Sequence, residues 1–484
     1  MNVLLIGESS YSDRIIEYFE QKTFACFSIP NVFSLYRFSG EAGNFSAFTK
    51  YTEIKADFVI LTEQPRPAPV EIADVQMKSL YDDNKNSVVS GTAALEPVVF
   101  LLDYVCESPM ASTIRALKDA TLLARNKRKV FYLASFIRTA GRGIEVLYKE
   151  AREAGVMFIK YDDIRFSADL LDEVFTLSVS DGDFETEIIT KDVYADGGLD
   201  VGESFAYVVE KLRLTTNTYG FVTEDKYYLS PVLTSRRGVY HITRDLAEER
   251  LYEGLDFIYA LEKGRIWEPP SHGTAVIDAN KCVFCYTCYR ACPHAAMEPD
   301  PELNQMRCLT AACAGCGTCA GICPACAILP EKMPKMITIG AGNGSKPDNG
   351  ATDASGGFEN ALVLCCENSG AAALGGSDAE SSSILAGIDS NGFKLMVMPC
   401  GGVIGFERLS DLLGAFDKIF VVVCPDEACR HFSGNKRACA QVKRLNDLMA
   451  AAGMAPDNVR FAQVSPGMPA ILTEELREFL GGCK

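Results

Sequence analysis

The run KCVFCYTCYRACP places four thiols within eleven residues, and the chain uses the pattern twice. Cys282, Cys285, Cys288 and Cys292 are separated by two, two and three residues and followed by Pro293. The run ACAGCGTCAGICP repeats the spacing at Cys313, Cys316, Cys319 and Cys323, followed by Pro324. Three cysteines two residues apart can wrap a tight loop around one iron–sulfur cubane and leave one iron unfilled, and the fourth, before the proline, points away and completes the other cubane. The spacing therefore assigns Cys282, Cys285, Cys288 and Cys323 to one [4Fe-4S] cluster, and Cys313, Cys316, Cys319 and Cys292 to a second. Structural zinc also favours paired cysteines about two residues apart, but two complete copies with both prolines argue against it. Cys308 and Cys326 fall outside the repeat and read as spare thiols, and His294, after the first Cys-Pro, reads as a surface or packed histidine. With every iron held by protein, such a unit has no open position for substrate and moves single electrons.

The remaining cysteines follow a different logic. Of nineteen in the chain, Cys26 and Cys106 precede residue 280, and seventeen follow it. Three apolar runs end in thiols: ALVLCC at Cys365 and Cys366, KLMVMPC at Cys400, and IFVVVC at Cys424, with Cys429 in the loop beyond. In an open parallel sheet ligands bind beyond the carboxyl ends of the strands. If the three strands are parallel neighbours, their thiols converge at one edge and make a metal site, for which spacing alone leaves zinc and a [2Fe-2S] cluster equally open. Free cysteine also packs as a small hydrophobe, which would account for one strand end but poorly for three.

The rest of the chain sets limits. Its 484 residues exceed one ordinary core, and 48% apolar with 23% charged residues is typical of folded, soluble protein. A formal charge of −17 argues against nucleic acid as a partner. The basic run 125–129 reads as a solvated helix end. The opening MNVLLIGESSYSDR has neither a basic leader nor an apolar stretch long enough to span a bilayer, and no later segment does, so a cytoplasmic protein is expected, free to dock on a membrane-bound partner. Such a compartment disfavours disulfides.

The expected fold class is α/β. Residues 1–265 open with a strand and a helix over 12–21, then become irregular and polar. Residues 97–160 alternate strand and helix as a parallel sheet does, and FTLSVSDGDFETEIIT reads as a hairpin. A helix is expected over 244–263. The cysteine-rich unit occupies 271–335, a Gly/Ser/Asn/Asp-rich tether 340–357, and a second open α/β domain 358–484, placed independently of the others.

Residues 358–466 resemble the delta subunit of methyl-viologen-reducing hydrogenase through CCENS, MPCGG and CPDEACRHFSGN. That resemblance implies a [2Fe-2S] cluster. The family often has a further cysteine where this chain has Ser369, and a histidine where it has Arg430, which leaves Cys366, Cys400, Cys424 and Cys429 as the best four, with Cys365 as rival. Residues 97–335 are similar to the flavin subunit of heterodisulfide reductase and to its relative in quinone-interacting oxidoreductases, through RTAGRGIEVLYKEAREAGVMFIKY, GVYHITRD and the cysteine repeat. The front part departs from them. Where those relatives carry glycines against FAD, the turn here is LLIGESSYSDR with Gly7 alone, and HITRD stands where a small Gly-Asp turn would be. A degenerate doubly wound flavoprotein scaffold is expected, and both lost contact points argue against FAD. No catalytic residue is assigned.

The expected function is an iron–sulfur electron-transfer subunit of an anaerobic oxidoreductase complex, carrying two [4Fe-4S] clusters and one [2Fe-2S] cluster. Its partners would be other subunits of a heterodisulfide reductase-like, hydrogenase-like or quinone-linked assembly. An alternative is a reductase or electron-bifurcating subunit that holds FAD in some other way over residues 1–260. A further alternative is a zinc-stabilised scaffold.

Overall fold

The computed structural model describes residues 1–72, 75–81, 97–105, 107–108, 110–139, 143–169, 174–217, 219–223, 232–243, 250–264, 270, 272–332, 336–339, 361–375, 393–454 and 458–481. The tether expected over 340–357, Cys106 and the start of the helix expected from 244 lie outside these residues; that helix is described over Leu251–Lys263.

The front part builds two parallel sheets. The first has the order Val239–His241, Phe58–Leu61, Asn2–Ile6, Ala25–Ile29. Its two central strands, NVLLI and FVIL, are apolar without alternation because both faces are covered. On one face Val3, Leu5, Phe58 and Ile60 meet Ile15 and Phe19 of the helix Ser12–Gln21 and Ile258 of the helix Leu251–Lys263. On the other, Leu4, Ile6, Val59 and Leu61 meet Phe205 and Val208 of the helix Gly202–Leu212 and Phe45 of an antiparallel meander, Leu35–Ala56. Sequence reading located the first strand and helix but took the following residues as irregular. There the chain makes the meander and the central strand Phe58–Leu61, whose four residues are too few to show a period.

The second sheet follows the expected alternation, in the order Lys78–Ser79, Asp192–Ala195, Val98–Leu101, Val130–Ala134, Met157–Lys160. Helices Met110–Arg125 and Ile144–Ala154 cover one face. Three antiparallel strands, Asp163–Asp169, Val174–Asp181 and Phe184–Thr190, cover the other, the last two being the expected hairpin.

In the C-terminal sheet the order is Met336–Ile339, Phe393–Met398, Ala361–Cys366, Lys418–Val423, Val459–Gln463. The first strand is antiparallel to its neighbour and all other pairs are parallel. The three thiol-ending strands are thus parallel neighbours. Met336–Ile339, just before the segment read as a tether, already belongs to this sheet, so both flanks of that segment sit in one domain.

Nor is this domain placed independently. The short helix Thr318–Ile322 packs on the turn Gly401–Val403, where a Cβ on Gly402 would lie 2.4 Å from Thr318 Oγ1 and one on Gly321 would lie 2.4 Å from the Gly402 carbonyl oxygen. The front part grips the cysteine-rich unit as well. Arg213 donates to the carbonyls of Met297 at 3.0 Å and Tyr289 at 2.5 Å, and its guanidinium lies 3.7 Å over the Tyr289 ring. Glu298 and Glu41 accept from the backbone N–H groups of Gly40 and Ala311 across the same boundary.

His241, at the end of the edge strand, is 4% exposed, and its ring has only a weak contact with the Glu63 backbone to replace water. Burial pulls its pKa down to about 4. Below the ordinary value of about 6.5 the unfolded chain takes up a proton that the folded one refuses. Stability is therefore full above that value and falls by about 3 kcal/mol as the pH drops from there to the folded pKa. His241→Leu should flatten the slope of unfolding free energy over that window by this amount, measured by urea unfolding at successive pH values; an unchanged slope would show that the imidazole titrates freely in the fold.

Candidate metal centres

The two cysteine motifs fold as a repeat displaced by thirty-one residues, the distance from Cys282 to Cys313. Phe284 and Gly315, Tyr286 and Gly317, and Ala295 and Cys326 all adopt positive φ, one pair at each equivalent position. These left-handed residues turn the chain back so that successive thiols face inward. Each loop then enters a short helix, Thr287–Ala291 or Thr318–Ile322. The fourth cysteine of each motif accepts a hydrogen bond from the backbone N–H four residues on, Ala296 to Cys292 and Ala327 to Cys323, both at 3.3 Å. Such donors favour the ionised sulfur.

The thiols surround two separate cavities. One is lined by Cys282, Cys285, Cys288 and Cys323 with Phe284, Met306 and Ile328. The other is lined by Cys292, Cys313, Cys316 and Cys319 with Ala275, Ala296 and Leu329. Each wall takes three cysteines from one motif and the fourth from the other. The first set reaches the surface at exposed Cys285, whereas Cys313, Cys316 and Cys319 are all buried. Burial pushes the Cys316 thiol up to about 12, so it would stay protonated at neutral pH without a cation beside it. Cys308, read as a spare thiol, shares a hydrogen bond with Cys313 that holds Cys313 down to about 6. Cys326 is exposed and meets Glu407 at 2.5 Å.

The strand ends gather four thiols. Cys366 Sγ lies 3.8 Å from Cys424 Sγ, and Cys400 Sγ 3.9 Å from Cys429 Sγ. Hydrogen bonds from Cys400 and Cys424 hold Cys366 down to about 3, and one from Cys400 holds Cys429 down to about 6, while Cys400 and Cys424 are pushed up by the same contacts. Alternation along a strand separates the two neighbouring cysteines. Cys366 faces the side of Leu364 and Val423, with the other three thiols, whereas Cys365 is fully buried on the opposite face against Val363, Leu374 and Val422. Ser369 commits its hydroxyl to the Val464 carbonyl at 2.6 Å, and Arg430 donates to Asn368 Oδ1 at 3.3 Å. The loop after Lys418–Val423 is fixed by buried Asn435, which donates to the carbonyls of Cys424 and Pro425.

Sequence reading missed what joins these centres. His294 Nδ1 is 3.0 Å from the Ser235 carbonyl, and its Nε2 is 3.0 Å from Nδ1 of His431, a residue that no motif singled out. Both rings are buried, which pulls His294 down to about 3 and His431 to about 4 and keeps them neutral. Gly434 was also missed. A Cβ there would sit 2.1 Å from Cys400 Sγ, so the bare backbone makes room for the thiol.

Among the described residues, the front crevice shows no comparable arrangement for a dinucleotide. After the strand Asn2–Ile6, the Gly7 N–H bonds the Ile29 carbonyl and the Ser9 N–H bonds Ser12 Oγ. A Cβ on Gly7 would meet the Glu63 backbone at 2.4 Å. Gln64 bridges the Thr62 and Ile242 carbonyls across the carboxyl ends of the strands. The Gly7 and Ser9 amides are thus engaged within the protein, and these two residues do not fit FAD bound in the usual way.

Residues 361–483 match the family model described as methyl-viologen-reducing hydrogenase, delta subunit, and residues 275–298 match that of the 4Fe-4S binding domain. The chain carries both domains. The first match takes in all four strand-end thiols, and the second takes in Cys282 to Cys292. No curated protein matches the chain. Among solved structures, the Cu(II) complex of the flavoprotein disulfide reductase RclA from Escherichia coli is 9% identical over 51% of this chain and 55% of that one, with a TM-score of 0.29. The chain thus spans about half of that reductase. Thioredoxin reductase from T. acidophilum is 12% identical over 54% and 97%, with a TM-score of 0.34, and the enzyme from Lactococcus lactis 12% over 55% and 99%, with a TM-score of 0.33.

Gly434→Ala should displace Cys400 and lower the metal content of protein purified without oxygen, measured by elemental analysis. Gly414→Ala, where a Cβ meets only open space, should leave it unchanged. Wild-type metal content in Gly434→Ala would mean that Cys400 holds no metal.

Proposed function

We propose that this chain is an iron–sulfur electron-transfer subunit of a multi-component redox complex. The observation that carries the proposal is the interleaved lining of the two cavities: each offers four thiols to one cubane, as the motif spacing requires. Cys282, Cys285, Cys288 and Cys323 would hold one [4Fe-4S] cluster and Cys292, Cys313, Cys316 and Cys319 the other. Cys366, Cys400, Cys424 and Cys429 would hold a [2Fe-2S] cluster. Their close approach on one face supports this set, and the position of Cys365 on the other face argues against it as a ligand. Bound there, each cluster would exchange one electron.

The chain's own residues supply the setting. Backbone N–H groups of Ala296 and Ala327 favour ionised sulfur, and the hydroxyls of Thr287 and Thr318 lie 3.2 and 3.4 Å from Cys285 and Cys316. Apolar walls exclude water, which together with these donors tunes potential. The delta-subunit domain supports a place among other redox subunits. Flavin has no part in the proposal. No helix among the described residues is long and apolar enough to cross a membrane.

Protein purified without oxygen should contain about ten irons with matching acid-labile sulfide, and no flavin absorption band. Cys366→Ser should lose about two irons together with the [2Fe-2S] signal, and Cys365→Ser should lose neither. Zinc in place of iron would refute the proposal.

A further inference from the structure

The two histidines at the junction were given no role by the motifs that contain them, and they lie between two different cysteine sets. His294 follows Cys292 by two residues, and His431 follows Cys429 by two. The ligating atoms of His294, His431 and Cys316 all lie within 4.8 Å of one another, and all three residues are buried. On the other side, the backbone N–H of His431 donates to Cys429. A path therefore runs from Cys316, across a gap of at most 4.8 Å to the two hydrogen-bonded rings, and on to the His431 backbone and Cys429.

The protons on this path follow from its ends. The Ser235 carbonyl can only accept, so His294 carries its proton on Nδ1. A neutral ring then leaves Nε2 bare, and that nitrogen must accept from Nδ1–H of His431. The lone pair that would bind a separate metal ion at this triad is thus used in the ring-to-ring hydrogen bond, and Cys316 belongs to the wall of the second cavity. Phe432 packs on the His294 ring, with centroids 5.9 Å apart, and the rings of the pair meet edge to face at 5.2 Å.

We propose that the hydrogen-bonded pair His294–His431 is the electronic link between the cysteine set of the second cavity and the strand-end set. The inference rests on the electron-transfer function proposed above. Electron tunnelling weakens exponentially with distance and is better carried by bonds and hydrogen bonds than by gaps, which is what the pair supplies across a domain boundary. With clusters bound, one electron would leave one centre, oxidising it, and arrive at the other, reducing it. No covalent bond forms or breaks, and both rings keep their protons. The order of sites follows: the strand-end thiols neighbour the buried second set, and the first set reaches the surface at Cys285.

The test compares His431→Phe, which fills the space without a donor, with His431→Gln, which restores one. Both are made in the full chain purified without oxygen, and His294→Phe serves if the first variant loses its iron. The readouts are iron content, the paramagnetic signal of each centre after dithionite reduction, melting temperature, and the rate of electron equilibration between centres after pulsed reduction. With the first three at wild-type values, the Phe variant should equilibrate more slowly by roughly tenfold, equivalent to about 1.4 kcal/mol of effective barrier, and Gln should recover most of the rate. A Phe variant as fast as wild type overturns the relay while leaving the electron-transfer function standing. Wild-type protein without iron overturns both.

Discussion

A thiolate taken out of water is unstable unless a cation or a set of hydrogen-bond donors replaces the solvent it has lost. That constraint governs this molecule at three places. Cys316, Cys319 and Cys292 are buried deeply enough that desolvation raises each of them, and the same holds for Cys288. At the strand ends four thiols crowd so closely that two are held ionised only at the expense of the other two. An interior built this way is hard to justify as packing alone, and the iron and sulfide proposed above would supply the positive charge it lacks.

The architecture serves that gathering. The parallel order of three strands brings three chain ends to one edge, and side-chain alternation chooses Cys366 over Cys365. The repeated left-handed turns bend each cysteine loop around its cavity. Close backbone approach at Gly402 and Gly321 presses the strand-end domain against the helix that carries Cys319, and Arg213 ties the front part to Met297 and Tyr289 of the same unit. The three regions therefore form a fixed arrangement, in which distance between centres is set by packing rather than by chance encounter of a swinging domain.

Much of this was legible in the chain. The Cys-x-x-Cys-x-x-Cys-x-x-x-Cys-Pro runs encode their own geometry because each short spacing is a local turn, and the apolar runs ending in thiols state where a sheet must deliver them. The alternation over residues 97–160 gave its sheet directly. What stayed hidden depends on contacts distant in sequence. His431 acquires meaning only when His294, 137 residues away, is brought to its Nδ1. Met336–Ile339 looks like the tail of the cysteine-rich unit until it pairs beside Phe393–Met398. Phe58–Leu61 is four apolar residues with no period, and only its neighbours in the sheet make it a strand.

Anomalous diffraction at the iron and zinc edges, on crystals grown without oxygen, tests the central claim most directly. The account predicts three groups of iron: one within Cys282, Cys285, Cys288 and Cys323, one within Cys292, Cys313, Cys316 and Cys319, and a smaller one within Cys366, Cys400, Cys424 and Cys429. Zinc at these positions, or a strand-end edge with no metal at all, would contradict it.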